Sequence, residues 1–428
     1  MKLTKPICFL LSLSLLFGTM FVPCALNASA QSPLQGYIDE KIEEHDFHGV
    51  VYATRNGKVV CESASGMANT AEGKKMSADT MFPIGSLSKQ FCATAVLLLQ
   101  EQGKLSVDDK LSEYFPEYTI AKDVTVKNLL THRSGIINHL IGLYEYEYTL
   151  SADATQEENE KTILEWFYTK ELAFKPNARY EYSNGNFFLL SLIVEQVSGQ
   201  NYSDFVKENI LVPLEMNNSG FYEELYSHPD LAEHKSEPTD IPFDYELKGL
   251  AQGAGDLVSN AKDMDKWMTS LRECTILSEE SYKEMTTDYS PTVGYGYGIG
   301  VLSNGSLSHN GAATSYVCTA TTYPEKCINI FAITNDWENE EENMYTIAFE
   351  LEDMLTITYG DVTGDTAVNV KDATLIQKFA AKFFKLNDTE TLCADVNTDE
   401  KVNIKDATAI QKYVAKIETD LPIGEYIY

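Results

Sequence analysis

The sequence lacks several patterns that would identify a metalloenzyme, a nucleic-acid-binding protein or a membrane protein. No His-Glu-x-x-His zinc motif and no Gly-x-Ser-x-Gly elbow occurs, which argues against a zinc protease of that type and an α/β-hydrolase. Beyond residue 30 no apolar run is long enough to span a bilayer. Basic residues are scarce, with 33 Lys and Arg against 64 Asp and Glu, a formal net charge of −31. This charge disfavours binding to nucleic acid and to anionic membranes.

Cysteine is also infrequent, with eight residues in 428. Two of them lie in the first 30 residues. The others have neither the regular spacing of a disulfide framework nor that of a zinc site; they are Cys61, Cys92, Cys274, Cys318, Cys327 and Cys393. We therefore expect mostly free thiols.

The N-terminus has the pattern of a secretory signal peptide. Lys2 and Lys5 precede an apolar run at residues 7–22, and residues 28–30 (Ala-Ser-Ala) form a small-residue cleavage site. Residues 1–30 are predicted to be this signal, and the mature protein is predicted to be secreted and extracellular.

The strongest chemical signal is the pair Ser86 and Lys89. This Ser-x-x-Lys step opens an apolar, helix-forming run at residues 91–100, so both side chains are expected on one face of a helix start, one turn apart. A serine hydroxyl needs a nearby base to become a nucleophile, and the lysine amine is within reach at this spacing. A single match of this kind is also compatible with a helix cap followed by a solvated lysine.

Two later elements favour the chemical interpretation. Tyr182 and Asn184 form a Tyr-x-Asn step, and His309 and Gly311 form a His-x-Gly step at the start of a strand-like stretch. In this order the three elements resemble the active-site motifs of the serine β-lactamase and penicillin-binding-protein superfamily. The Tyr-x-Asn step resembles the corresponding motif of the class C, D,D-peptidase and esterase branches of this superfamily.

Three flanking segments strengthen this resemblance. Residues 128–136 are similar to the family's Leu-Leu-Thr-His-x-Ser-Gly segment, residues 253–263 to its Ala-Gly-Gly-Leu-x-Ser-Thr turn and helix, and residues 295–300 to its Tyr-Gly-x-Gly-x-Gly strand. Together the matches extend over about residues 35–355. We interpret His132, within the first segment, as structural.

The resemblance implies a role for each motif residue. Ser86 would attack a carbonyl and form an acyl-enzyme, while Lys89 and Tyr182 would share the proton transfers; which of the two is the base stays open. Asn184 would bond the substrate amide or Lys89. The backbone N–H groups of Ser86 and Ala312 would form the oxyanion hole, next to Gly311.

His309 replaces the lysine of typical β-lactamases. An imidazole holds a substrate carboxylate less firmly than a fixed ammonium does. The replacement therefore favours an esterase-like or D,D-carboxypeptidase-like enzyme over an efficient β-lactamase.

The element pattern up to residue 355 predicts an α+β fold. An antiparallel sheet built from both chain ends would be flanked by terminal helices and interrupted by a large helical insertion, as in the β-lactamase and transpeptidase family. Acidic runs at residues 157–160 and 338–342 are expected to be exposed ends or loops. The predicted elements are a helix at 33–45, a hairpin of strands 50–54 and 59–63 around Asn56-Gly57, strands at 298–303, 306–309, 315–323 and 327–334, and a helix at 344–355.

The C-terminus contains a duplicated twelve-residue segment, with the second copy 34 residues after the first. Oxygen-bearing side chains recur at positions 1, 3, 5, 9 and 12, and position 7 can offer its backbone carbonyl, which is the spacing of a calcium loop. Two capped turns before helices are the alternative. The predicted ligands are Asp361, Thr363, Asp365, Ala367, Asn369 and Asp372 in one copy, and Asp395, Asn397, Asp399, Lys401, Asn403 and Asp406 in the other.

This tandem resembles a type I dockerin, a small all-α module that folds around two structural Ca²⁺ ions and binds a cohesin module. The glycine usual at position 6 of a calcium loop is replaced by Thr366 and Glu400. The resemblance implies cohesin contacts at corresponding positions of both copies: Val370, Lys371, Gln377, Lys378, Ile404, Lys405, Gln411 and Lys412. Their near-identity suggests two binding orientations.

Two functional hypotheses follow. The first is a secreted serine hydrolase at residues 33–355 that acts on an ester or a D-amino-acid peptide or amide. A dockerin at residues 357–428 would attach it to the cohesin scaffold of a cellulosome-type complex linked to polysaccharide degradation. The second is a catalytically silent or slow-turnover protein that binds a β-lactam or peptide and is displayed by the same dockerin. Neither hypothesis requires a catalytic cofactor.

Overall fold

The structure, a computed structural model, describes residues 33–235, 247–365 and 367–427. The predicted signal peptide lies outside the described residues. The helices are α1 Pro33–Glu44, α2 Ser88–Glu101, α3 Leu111–Tyr114, α4 Val126–Leu130, α5 His139–Tyr144, α6 Gln156–Tyr168, α7 Asn184–Ser198, α8 Tyr202–Val206, α9 Tyr222–Leu225, α10 Ala261–Glu273, α11 Glu279–Met285, α12 Trp337–Thr356, α13 Val370–Ala380, α14 Asp388–Ala394 and α15 Ile404–Val414. The strands are β1 Val50–Arg55, β2 Lys58–Ala64, β3 Met67–Asn69, β4 Lys74–Lys75, β5 Phe82–Pro83, β6 Gly220–Phe221, β7 Leu257–Ser259, β8 Gly300–Val301, β9 Leu307–Ala313, β10 Tyr316–Tyr323 and β11 Ile328–Thr334.

A six-stranded antiparallel sheet joins the two ends of the hydrolase region, in the order β2-β1-β11-β10-β9-β8. The β1–β2 hairpin turns at Asn56 and Gly57, which both have positive φ, as its Asn-Gly pair predicts. Val50 pairs with Ile333, so an early strand lies beside a strand almost 300 residues later. This confirms the predicted α+β plan, with the helical region inserted between the two parts of the sheet.

The sheet separates two hydrophobic cores. Helices α1 and α12 cover one face, and α10 packs against β1, β10 and β11 on the other face, beside the larger helical region. Strands β1, β10 and β11 are buried at every residue, which is expected for strands covered on both faces.

Helix α2 is the central helix of the larger core. Every residue from Ser88 to Leu97 is buried, and a helix buried on all sides must be apolar on all sides. The buried polar side chains of this stretch have fixed partners; for example, Gln90 accepts a hydrogen bond from Trp267, and Ser88 accepts one from the backbone N–H of Leu257. The helix that carries the Ser-x-x-Lys step is therefore held firmly.

The acidic runs differ from the prediction. The closing helix α12 begins at Trp337 rather than at residue 344, so the run at residues 338–342 is helical. Within it, Glu340 is 5% exposed and its Oε1 lies 3.1 Å from Nδ1 of His48. Similarly, Glu160 is a buried residue of α6. Both runs lie at helix starts and most of their carboxylates are exposed, as predicted, but the prediction was wrong for Glu160 and Glu340, which face inward.

The C-terminal unit has its own small core between α13, α14 and α15. It contacts the hydrolase region through Ile357, which packs against both cores, and through Arg55. The Arg55 guanidinium lies 4.3 Å from the ring centroid of Tyr426 and donates to the carbonyl of Leu355.

In the described part of the chain no helix is both long and apolar enough to cross a bilayer. The six cysteines from Cys61 onward are free, as predicted.

Candidate active site

Ser86 lies in a short 3-10 turn, Gly85–Leu87, and Lys89 follows in the first turn of α2. Nζ of Lys89 lies 3.1 Å from Oγ of Ser86 and also donates to Oδ1 of Asn184 at 2.8 Å and to the carbonyl of Ala254 at 2.6 Å. Lys89 is fully buried, and this burial holds its pKa well below the usual 10.5. A deprotonated amine in this position can accept the proton of the serine hydroxyl.

Tyr182 approaches Ser86 from the segment before α7. Its hydroxyl donates to Oγ of Ser86 at 2.9 Å, and its ring centroid lies 4.9 Å from Nζ of Lys89. Burial raises the pKa of Tyr182, so the phenol keeps its proton at neutral pH. Oγ of Ser86 is thus contacted by an amine and by a neutral phenol.

Asn184 is the first residue of α7, which packs along α2. This packing explains how a residue 95 positions after Lys89 reaches its amine. The Tyr-x-Asn step thus brings the phenol to Ser86 and the amide to Lys89.

Strand β9 forms the other wall of the site, and two glycines allow its close approach to the serine turn. A Cβ on Gly311 would lie 2.0 Å from the carbonyl oxygen of Ile84. A Cβ on Gly85, whose φ is +50°, would lie 2.7 Å from the backbone nitrogen of Ala312. The backbone of Ala312 is therefore directly beside the turn that holds Ser86.

His309 lies on the same strand and is half-buried. Its Nδ1 is 2.6 Å from the carbonyl oxygen of Asn310, and its Nε2 is 3.0 Å from the hydroxyl of Tyr295. The carbonyl can only accept, so Nδ1 carries the proton and Nε2 accepts from Tyr295. Burial lowers the pKa of His309 to about 4. The imidazole is consequently neutral at physiological pH.

His132 lies directly behind Tyr182, with the two ring centroids 4.3 Å apart. Its Nδ1 accepts from the backbone N–H of Ser183 and from Nδ2 of Asn186, at 3.2 and 2.9 Å. Burial lowers the pKa of His132 well below its usual value, so the ring is uncharged. These contacts agree with a structural role, in which His132 supports the segment that carries Tyr182.

The sequence did not single out three groups that contact or adjoin the site. Tyr295 was recognised only as part of a strand motif, and the Ala254 carbonyl has no side-chain signal at all. Asp256, in the same turn as Ala254, accepts from the backbone N–H of Gly253 through Oδ2, while its buried Oδ1 has no partner among the described residues. Burial raises the pKa of Asp256 to about 7.

A cleft of about 450 Å³ opens at Ser86. Aromatic side chains supply much of its wall, and two exposed apolar residues, Val293 and Leu302, lie at its edge. The aromatic members are Tyr180, Tyr182, Tyr295, His309 and Tyr345. The cleft can admit a small acyl group with its carbonyl next to Ser86.

The first C-terminal loop wraps around a fully buried carboxylate. Asp372 accepts from the backbone N–H groups of Thr363 and Asn369 and from the Thr363 hydroxyl, at 2.8–2.9 Å. Asp361 accepts from the backbone N–H of Asp365 at 3.1 Å. The carbonyl of Ala367 accepts from Nδ2 of Asn369 at 2.7 Å. All six predicted ligands of this loop are thus on one short segment.

The second loop repeats the arrangement. Asp406 is fully buried and accepts from the backbone N–H of Asn403 and from Nδ2 of Asn397, at 2.8 and 2.6 Å. Asp395 accepts from the backbone N–H of Asp399 at 3.2 Å, and the carbonyl of Lys401 accepts from Nδ2 of Asn403 at 2.9 Å. The duplication in sequence is therefore a duplication in structure.

The donor groups of the two loops determine whether calcium can bind there. Both loops show capping boxes before their helices, and no cluster of three or more His, Cys, Asp or Glu in metal-binding geometry occurs among the described residues. The donors nevertheless suit the ion, since each loop supplies carboxylate, amide and carbonyl oxygens. One change is required: Lys371, whose Nζ lies 2.8 Å from Oδ2 of Asp365, would have to release that carboxylate.

Comparison with known families agrees with both units. The β-lactamase family model matches residues 34–352, and the dockerin type I domain model matches residues 359–419. Dockerin type I domains bind calcium, and their presence implies a cohesin partner.

Individual relatives cover the hydrolase region. The protein PbpX of Bacillus subtilis, assigned to the penicillin-binding proteins, is 31% identical over 283 residues, which is 65% of this chain and 68% of the relative. A teichoic acid D-alanine hydrolase of Staphylococcus aureus is 25% identical over 320 residues, covering 73% and 76% of the two chains.

A solved structure, the octameric penicillin-binding protein homologue of Pyrococcus abyssi, matches with a TM-score of 0.62 and 28% identity, covering 74% of this chain and 77% of that one. The chain thus belongs to the β-lactamase family of serine hydrolases and carries a C-terminal dockerin type I domain.

Proposed function

We propose that the chain hydrolyses an ester or a D-amino-acid amide through an acyl-enzyme on Ser86. The observation that carries the proposal is the convergence of an amine and a phenol, from distant parts of the chain, within 3.1 Å of one serine hydroxyl. Such an arrangement can remove the hydroxyl proton and return it to a leaving group.

In the acylation step, Oγ of Ser86 attacks the substrate carbonyl while its proton passes to Nζ of Lys89. The oxyanion is held by the backbone N–H groups of Ser86 and Ala312, each worth about 3 kcal/mol in comparable sites. The bond to the leaving group then breaks, and the leaving group takes the proton of the Tyr182 hydroxyl, which Lys89 replaces. Water then attacks the acyl-enzyme carbonyl, and its proton passes through the Tyr182 hydroxyl to Lys89. Lys89 returns a proton to Oγ of Ser86 as the acid product leaves.

Lys89 is the better candidate for the base. Burial disfavours the charged form of both groups, so the resting pair is a neutral amine and a neutral phenol. The neutral amine is a base as it stands, whereas Tyr182 would first have to lose a tightly held proton. Asn184 orients the amine toward Ser86.

The substrate is proposed to be an aminoacyl ester or amide, with D-alanyl compounds as the first class to test. One relative is named a teichoic acid D-alanine hydrolase, and solved structures of this fold include a D-amino acid amidase. The neutral His309 gives no fixed positive charge for the carboxylate of a β-lactam or of a D-alanyl-D-alanine terminus, so a simple acyl group is favoured.

Other relatives are named penicillin-binding proteins, which supports a second candidate function, slow-turnover binding of a β-lactam or peptide. The two are separated by incubating the protein with D-alanine methyl ester and with a fluorescent penicillin. Steady release of methanol supports hydrolysis. A stable penicillin adduct without methanol release supports the second function.

The location is proposed to be extracellular, on a cohesin scaffold of the cellulosome type associated with polysaccharide degradation. The hydrolase domain is proposed to span residues 33–355, and the dockerin, with two structural Ca²⁺ ions, residues 357–428. Val370 and Ile404, at the same position of the two loops, are 59% and 54% exposed. Exposed apolar side chains at duplicated positions suit a cohesin surface that can be bound in two orientations.

A further inference from the structure

The cleft at Ser86 has an unusual charge balance. Among the described residues that line it, Glu341 is the only one with a full charge, and no Lys or Arg lines it. Lys89 lies behind Ser86 and is fully buried, and its Nζ is already within hydrogen-bond distance of three oxygen atoms. The substrate therefore meets one carboxylate and no available cation.

Glu341 lines the same cleft as Ser86 and Ala312. The backbone N–H of Trp337, at the start of α12, donates to the carbonyl of Ser315 at 2.7 Å, which fixes α12 to the β9–β10 turn. Glu341 follows one helical turn later, and Val317, which shares the cleft lining with it, is paired in the sheet with Ala312. Glu341 therefore shares the cleft with Ser86, and its helix is fixed to the same strands that carry Ala312.

This carboxylate is exposed and forms no ion pair with the residues that the structure describes. Its neighbour on the helix, Tyr345, also lines the cleft and offers an aromatic ring. A carboxylate beside an aromatic ring is a suitable binding site for an organic cation.

We propose that Glu341 binds the ammonium group of an aminoacyl substrate and disfavours substrates with a carboxylate near the scissile carbonyl. This rests on the proposed hydrolysis at Ser86 and deepens it, because it assigns the substrate a free amine. The net charge of −31 acts in the same direction, since it attracts cationic and repels anionic substrates.

Three D-alanine methyl esters test the proposal: the free amine, the neutral N-acetyl derivative and the anionic N-succinyl derivative, at about pH 6.5, where an α-amine is protonated. The kcat/KM ratio of amine to N-acetyl ester is measured for the parent chain, Glu341→Gln and Glu342→Gln. Glu342 is the matched control, because it is exposed on the same helix but does not line the cleft.

We expect Glu341→Gln to lower the amine to N-acetyl ratio roughly five- to tenfold, as for a partly exposed ion pair. It should also raise the ratio of N-succinyl to N-acetyl ester, while Glu342→Gln leaves both ratios unchanged. Ratios that Glu341→Gln leaves at the parent values, or that both substitutions change equally, would overturn the proposal.

A binding measurement separates this proposal from the hydrolysis itself. Calorimetry on Ser86→Ala, with and without Glu341→Gln, compares D-alaninamide with N-acetyl-D-alaninamide. If no ester is turned over, the proposed function fails, yet tighter binding of D-alaninamide that depends on Glu341 still supports the ammonium site. Equal binding of the two amides would refute it.

Discussion

At the scale of single residues, burial keeps the titratable side chains around Ser86 uncharged. Lys89, Tyr182, His132 and His309 are all held in their neutral forms by burial. The consequence is a base that needs no activation and a cleft without a fixed cation for anionic substrates. Burial of these groups is a property of the packed fold, so it could not be predicted from sequence, whereas their identity and order could.

The choice of substrate should respond to the charge at position 309. Replacing the imidazole by an ammonium, His309→Lys, provides a point charge for a carboxylate. We expect acylation by a fluorescent penicillin to become about tenfold faster, measured as the rate of adduct formation on gels. His309→Gln, which is uncharged, is the control; an equal gain in both variants would contradict the electrostatic account.

Asp256 gives the protein a pH-dependent loss of stability. Its pKa is about 7 in the folded chain against 3.8 as the ordinary value. The fold favours the protonated form, so this contribution is complete below pH 3.8 and is lost as the pH rises through 7. Asp256→Asn does not titrate and should lose less free energy of unfolding between pH 5 and pH 8 than the parent.

Urea denaturation at the two pH values measures this difference. Asp108→Asn, at an exposed carboxylate, should show the parent's pH dependence. A loss in Asp256→Asn that equals or exceeds that of the parent would contradict the assignment of Asp256.

At the scale of elements, the site depends on the close contact between β9 and the 3-10 turn of Ser86. The sequence predicted β9, β10 and β11 within a few residues, because strand periodicity and β-branched residues are local signals. It placed the start of α12 seven residues too late, since the partner that buries Glu340 is His48, 292 residues away. The contact of the Ala254 carbonyl with Lys89 could not be predicted for a related reason, because it forms only when the chain has folded.

Gly311→Ala tests the contact between β9 and the turn. The added methyl group would overlap the carbonyl of Ile84 and push β9 away from Ser86. We expect acylation to slow by about 100-fold and the free energy of unfolding to fall by roughly 1–3 kcal/mol. Stopped-flow labelling and urea denaturation measure the two effects.

Gly36→Ala is the matched control for this substitution. Gly36 lies in α1 with open space around its Cα, so the variant should keep the parent rate and gain about 0.5–1 kcal/mol of stability. An acylation rate in Gly311→Ala equal to that of the parent would show that acylation does not need the close contact between β9 and the Ser86 turn.

At the scale of the whole molecule, the chain joins two units with separate cores. Both could be recognised from sequence, because each has ordered motifs or an internal repeat. Their contact through Arg55 and Tyr426 could not be predicted, since neither residue belongs to a motif.

Removal of calcium should affect the two units differently. Chelation with EGTA leaves the buried carboxylates of Asp372 and Asp406 without a cation, so the dockerin should lose its cohesin binding. Ester hydrolysis should continue, because the described residues that line the Ser86 cleft all belong to the hydrolase region. Calorimetry with a cohesin and an ester assay on the same sample measure both, and cohesin binding that persists in EGTA would contradict the calcium role.

The central claim is that Ser86 is the nucleophile of this chain. Labelling with a fluorophosphonate, followed by intact-mass and peptide mass spectrometry, tests it most directly. The account predicts one adduct, located on Ser86 in the parent chain and absent from Ser86→Ala, whose circular dichroism is unchanged. An adduct of equal yield in Ser86→Ala, or one located on another residue, would contradict it.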